Sequence, residues 1–184
     1  MKRYIIAAAA LAAVPGAACA QDFTGPRVEA RLGYETPTVS DDTGVYKIGS
    51  AVSYGGEVGF DAGSKKLTFG AYASFEASSV ELCDSGSCVG EDSTIGAGAR
   101  IGFVASKNLL VFVKGGYTRI KMNAKLSGLS ASDNKDGVQG AIGVETNLGK
   151  MAYAKIEFNY GDYGKFYGVN LQRRHVALGL GLRF

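Results

Sequence analysis

Between residues 27 and 184 the chain alternates apolar and polar residues in eight separate rows, and a period of two places successive side chains on opposite faces of a strand. The first row sets Val28, Ala30, Leu32 and Tyr34 against Arg27, Glu29, Arg31 and Gly33. The second sets Val52, Tyr54, Gly56, Val58 and Phe60 against Ser53, Glu57 and Asp61. The third sets Leu67, Phe69, Ala71, Ala73, Phe75 and Ala77 against Thr68, Tyr72, Ser74 and Glu76. The pattern continues over residues 95–103, 109–117, 138–148, 152–160 and 176–184. Their polar sides hold Arg100, Lys114, Glu145, Lys155 with Glu157, and His175 with Arg183. No apolar row contains a charge, and every polar row contains at least one.

That separation decides where the two faces point. A lysine or arginine facing the middle of a bilayer costs roughly 2–4 kcal/mol. The charged rows therefore face a lumen and the apolar rows face lipid; a water-soluble barrel would reverse the two. Closure removes the sheet edges that hydrocarbon cannot satisfy. The expected fold is all-β, an eight-stranded antiparallel up-and-down transmembrane β-barrel. Residues 61–66, 104–108 and 149–151 read as short turns. Residues 35–51, 78–93, 121–137 and 161–172 read as longer loops, rich in Gly, Ser, Asp, Asn and Lys. Short periplasmic turns and long outer loops are the outer-membrane arrangement. With that orientation Tyr34, Tyr54, Phe75, Tyr117, Phe158 and Tyr160 fall at the outer end of the lipid-facing rows, and Phe60, Phe69, Phe103 and Phe184 at the periplasmic end. Aromatic rings favour both membrane interfaces.

The residues ahead of these rows read as an export signal. Lys2 and Arg3 precede an apolar run from Ile5 to Val14, Pro15 and Gly16 break it, and Ala18-Cys19-Ala20 is a small-x-small cleavage pattern. The run is shorter than the roughly 20 residues of a transmembrane helix. Cys19 raises lipidation as an alternative, although Gly16 stands where such signals usually carry leucine. Residues 1–20 are thus expected to be a cleaved signal peptide and 21–184 one outer-membrane barrel domain. Of 20 basic residues Lys2 and Arg3 precede residue 21, leaving 18 against 17 acidic ones. That near-neutrality argues against a nucleic-acid partner.

Cys83 and Cys88 flank Asp-Ser-Gly-Ser in the second long loop. In an oxidising compartment the simplest reading is a local disulfide. Free thiols are the alternative, and a metal site would need ligands that one distant histidine does not supply.

On these rows, the chain resembles the outer-membrane β-barrel superfamily that includes the OmpA membrane domain and opacity-type surface proteins. The resemblance covers residues 27–184. Its most specific part is the end: Leu178, Leu180, Leu182 and Phe184 alternate up to a terminal aromatic, similar to the signal read by the barrel-insertion machinery. The resemblance implies an outer-membrane location and, through the loops, a host or surface ligand.

The lumen is expected to hold Glu29, Arg31, Glu57, Glu76, Arg100, Lys114, Glu145, Lys155, Glu157 and Arg183. Eight strands leave an interior that side chains fill, and confined opposite charges pair. The expectation is therefore a non-enzymatic barrel with a largely plugged lumen, in contact with outer-membrane lipid and lipopolysaccharide. A narrow porin for ions or small solutes is the alternative, since many inward glycines leave room for water. A lipid-modifying enzyme is the third reading. It would have to use His175, the one histidine, which faces inward and is followed by Val176 and Ala177 rather than by a serine two residues on. Arg173 and Arg174 beside it suit lipopolysaccharide phosphates or loop acids. No cofactor, catalytic residue or metal ligand is expected.

Overall fold

The computed structural model describes residues 23–41, 44–47, 49–78, 81–84, 87–126, 129–166 and 169–184. Ala18 and Ala20 lie outside them, as does the rest of the signal segment. Eight long strands make the wall: β1 (Gly25–Asp41), β3 (Ala51–Gly63), β4 (Leu67–Ser78), β6 (Ser87–Ser106), β7 (Leu109–Leu126), β8 (Leu129–Asn147), β9 (Ala152–Phe166) and β10 (Val169–Arg183). Two four-residue strands, β2 (Gly44–Lys47) and β5 (Glu81–Asp84), pair only with β1 and β6. No helix occurs among the described residues. Each long strand pairs antiparallel with the next, and β10 returns to β1 over fourteen partner pairs from Arg27↔Arg183 to Ser40↔Asn170. The barrel is closed, so within the membrane no ladder edge is left without a partner.

Exposure follows the alternation. Along β1 Arg27, Glu29, Arg31, Gly33 and Glu35 are buried, while Ala30, Leu32 and Tyr34 are exposed. The apolar side chains cover the outside, with Leu180 64% and Val138 67% exposed, and both rings of aromatics stand in that outer surface. The inside is where the charges are.

The long loops expected from composition are largely strands. Pairing continues to Asp41↔Gly44, Asp84↔Ser87, Leu126↔Leu129 and Phe166↔Val169, so each segment is a pair of strands up to these residues. Small polar residues mark turns only where no partner backbone is at hand. Here the neighbouring strand supplies the ladder, and each N–H and C=O is satisfied whatever the side chain. Bulges between Glu91/Ser93 and Asn170/Gln172 bend the outer ends.

Candidate functional site: an ion-paired lumen

All ten charged residues expected in the lumen are buried there, and each has an ionic partner within 4.0 Å. They join with others into one continuous chain. At the short-turn end Arg183 Nη2 lies 2.7 Å from Glu145 Oε1 and 3.2 Å from Asp61 Oδ2. Arg27 links Asp61, 3.1 Å from its Nε, to Glu57, 2.5 Å from its Nη1. Glu57 is the hub: it also receives Arg31 Nη1 at 2.6 Å, Lys114 Nζ at 2.5 Å and Lys155 Nζ at 3.4 Å. Arg31 carries the chain upward, pairing with Glu157 and with Glu76, the latter at 3.1 Å. Arg173 then gathers Glu35, Glu76 at 3.0 Å and Glu91 at 3.5 Å.

Rings fill the space between the charges. Arg100 stacks 4.1 Å from the Phe112 centroid and Lys114 4.2 Å from that of Tyr72, whose hydroxyl accepts from Gln139 Nε2 at 3.0 Å. Tyr153 Oη donates to Glu29 at 3.0 Å. Toward the outer end Ile120, Tyr163 and Leu171 form a small buried apolar cluster, with Met122 against it.

Inward glycines leave less room for water than their number suggests. A Cβ at Gly33 would meet His175, at Gly70 Asp61, at Gly179 Glu29 and at Gly181 Tyr153. Each glycine is a notch for a neighbour's long side chain. Gly181→Val is expected to cost about 1–3 kcal/mol by overpacking against the Tyr153 ring, read as a lower urea midpoint of the folded barrel in micelles. An unchanged midpoint would show that the lumen yields freely there.

Sequence reasoning missed Arg27, Glu35, Asp61, Glu91 and Arg173 as members. Arg27 and Asp61 stood in the rows as row ends, Glu35 and Glu91 fell in segments read as loops, and Arg173, just past the last of these, was read as suited to lipopolysaccharide phosphates or loop acids. Arg173 meets acids of those segments rather than external phosphates, while Arg174 points outward and is exposed. Among the described residues eight carboxylates and seven cations are buried. Above the outer aromatic ring, burial pushes the Glu91 carboxyl up to about 7 against the pull of Arg173.

His175 faces inward and is buried. Its Nε2 lies 3.0 Å from Ser53 Oγ and its Nδ1 3.7 Å from Glu76 Oε2. The order is that of a nucleophile, base and acid. Ser53, however, is 1% exposed, and 3.7 Å is too long for a hydrogen bond. The group packs the outer lumen, with Ser53 and His175 both closed off from solvent.

The family model described as outer membrane protein beta-barrel domain matches residues 5–184. The chain belongs to this family. It is an outer-membrane protein, and its short turns take the periplasmic side. No curated protein matches it. Among solved structures it is similar to Ail, the attachment invasion locus protein of Yersinia pestis. That structure, in complex with the heparin analogue sucrose octasulfate, is 16% identical with a TM-score of 0.61, over 87% of this chain and 99% of Ail. The Neisserial surface protein A is 15% identical with a TM-score of 0.61, over 85% and 97% of the two chains. OprG of Pseudomonas aeruginosa is 11% identical with a TM-score of 0.52, over 89% and 98%. At these identities the likeness is one of fold.

Proposed function

We propose that this outer-membrane barrel is non-enzymatic, that its lumen is closed by the ion-paired network, and that it serves envelope integrity and surface contact. The observation that carries the reading is the unbroken run of pairs from Glu145 to Glu91, with Ile120, Tyr163 and Leu171 clustered toward its outer end. An ion crossing the lumen would have to separate buried pairs, and each unpaired charge left in a dry interior is costly. In planar bilayers the protein is expected to give at most small, intermittent conductance. Large steady openings would establish the narrow-porin reading instead.

The outer hairpins supply the contact surface. Ail was solved with a polyanion, and this chain carries exposed Arg119, Lys121 and Arg174 on its outer half. Arg119 and Lys121 already pair with Asp136 and Asp92, at 2.6 and 3.2 Å. That leaves Arg174, beside Tyr160 and Thr36, as the cation suited to lipopolysaccharide phosphate. We further propose a Cys83–Cys88 disulfide in the β5–β6 hairpin, supported by their direct cross-strand pairing. Cleavage after Ala20 and recognition of Leu178, Leu180, Leu182 and Phe184 by the insertion machinery complete the reading.

A further inference from the structure

The periplasmic rim has a charge pattern that the lumen and the outer hairpins do not account for. Three short connections close the barrel at this end, and each carries lysine: Lys65 and Lys66 between β3 and β4, Lys107 between β6 and β7, and Lys150 between β8 and β9. All four side chains are exposed, and none has an ion-pair partner among the described residues. The nearby acids Asp61 and Glu145 point inward and are consumed by Arg27, Arg100 and Arg183. Apart from the terminal carboxylate of Phe184, the described outer surface of this end is cationic. At the outer end two of the three exposed cations named above, Arg119 and Lys121, have acidic partners.

The rim is also held in shape. Val104 N donates to Lys66 O at 2.9 Å, Asn147 N to Asn108 O at 3.0 Å, and Arg183 N to Met151 O at 2.8 Å. Each lysine-bearing turn is thus tied by backbone to the next strand pair, so the three turns stand in an arc along one rim. Immediately on the membrane side stand Phe60, Phe69 and Phe103, exposed to lipid. Apolar rings that seat in the interface below a row of unpaired ammonium groups match the boundary between acyl chains and phosphates.

We propose that this arc binds the phosphodiester headgroups of anionic phospholipid, such as phosphatidylglycerol, in the periplasmic leaflet. The shortness of the turns favours lipid over a periplasmic protein or the cell wall. The lysines stand on two- to four-residue turns and cannot carry their charge far from the bilayer surface. Clustered lysines at such a surface add their attractions to anionic lipid and spare zwitterionic lipid.

The full-length mature barrel, reconstituted in nanodiscs of phosphatidylcholine with a minority of phosphatidylglycerol, tests this. Lipid retained through mild detergent extraction is identified by mass spectrometry. Wild type is expected to retain phosphatidylglycerol with an enrichment of roughly tenfold. Combining Lys65→Gln, Lys66→Gln, Lys107→Gln and Lys150→Gln is expected to abolish it, and Lys107→Gln with Lys150→Gln alone to reduce it, a pair that keeps the test open should the fourfold variant fold poorly. Arg119→Gln, at the opposite rim and already paired with Asp136, is expected to leave it unchanged, as is an excess of free glycerol phosphate. No enrichment in wild type, or enrichment that survives the lysine variants, would overturn the proposal. So would loss in Arg119→Gln, which assigns the lipid to the outer rim, or displacement by glycerol phosphate, which assigns the arc to a soluble anion.

Discussion

Glu57→Leu is expected to destabilise the folded barrel by about 3–5 kcal/mol, the cost of leaving a buried charge without its partner. Glu57 stands against Arg27, Arg31, Lys114 and Lys155, all buried. Without it these four cations share fewer acids, and Lys114 keeps only Glu157, at 3.2 Å. The chain has no tryptophan, so urea unfolding in micelles is best followed by circular dichroism and by the mobility difference between folded and heated protein. Asp136→Ala removes the partner of Arg119 on the exposed surface and is expected to leave the midpoint where it was, because solvent screens such a pair. If Glu57→Leu were equally silent, the lumen would be hydrated rather than closed, and the narrow-porin reading would take precedence.

Leu180→Arg probes the other face. Leu180 lies on β10 midway between the two aromatic rings, pointing outward. An arginine there is expected to cost about 2–4 kcal/mol at the bilayer midplane. The readout is the fraction of chain that inserts and folds into preformed vesicles, compared with the same substitution at Leu148, which is close to the periplasmic interface and should cost little. Equal insertion by both variants would show that the apolar rows do not meet hydrocarbon.

Much of this fold is visible in the residue order, because a period of two needs no knowledge of the partner strand. Val28, Ala30, Leu32 and Tyr34 declare an outward face by themselves, and Glu29 and Arg31 an inward one. What local pattern cannot supply is how far strands tilt and slide past one another around the barrel. That shear decides that Arg31 meets Glu157, a residue 126 positions away, and that Arg173 meets Glu35 at a separation of 138. Membership of the lumen was legible for Glu145 and Lys155, while their partners were not. The outer hairpins failed for a different reason. Serine, aspartate and glycine between residues 121 and 137 signal turns when read one strand at a time, yet β7 and β8 hold each other straight up to Leu126↔Leu129. Glu35 and Glu91 were lost with those segments, and without them Arg173, their shared partner, had nothing to join, so the upper third of the network went unseen.

The seam between β1 and β10 bears on how the molecule comes into being. The first and last strands are each other's neighbours, and the pairs that cross the lumen join residues far apart in the chain. Such contacts return nothing until the whole loop between them is closed, which makes assembly slow and late-rewarding. A chain halted with its seam open would leave Glu29 without Lys155, Arg31 without Glu157 and Glu35 without Arg173 inside a hydrocarbon layer. The bilayer thus acts as proofreader: it tolerates the chain outside or fully zipped, and penalises every half-assembled species in between.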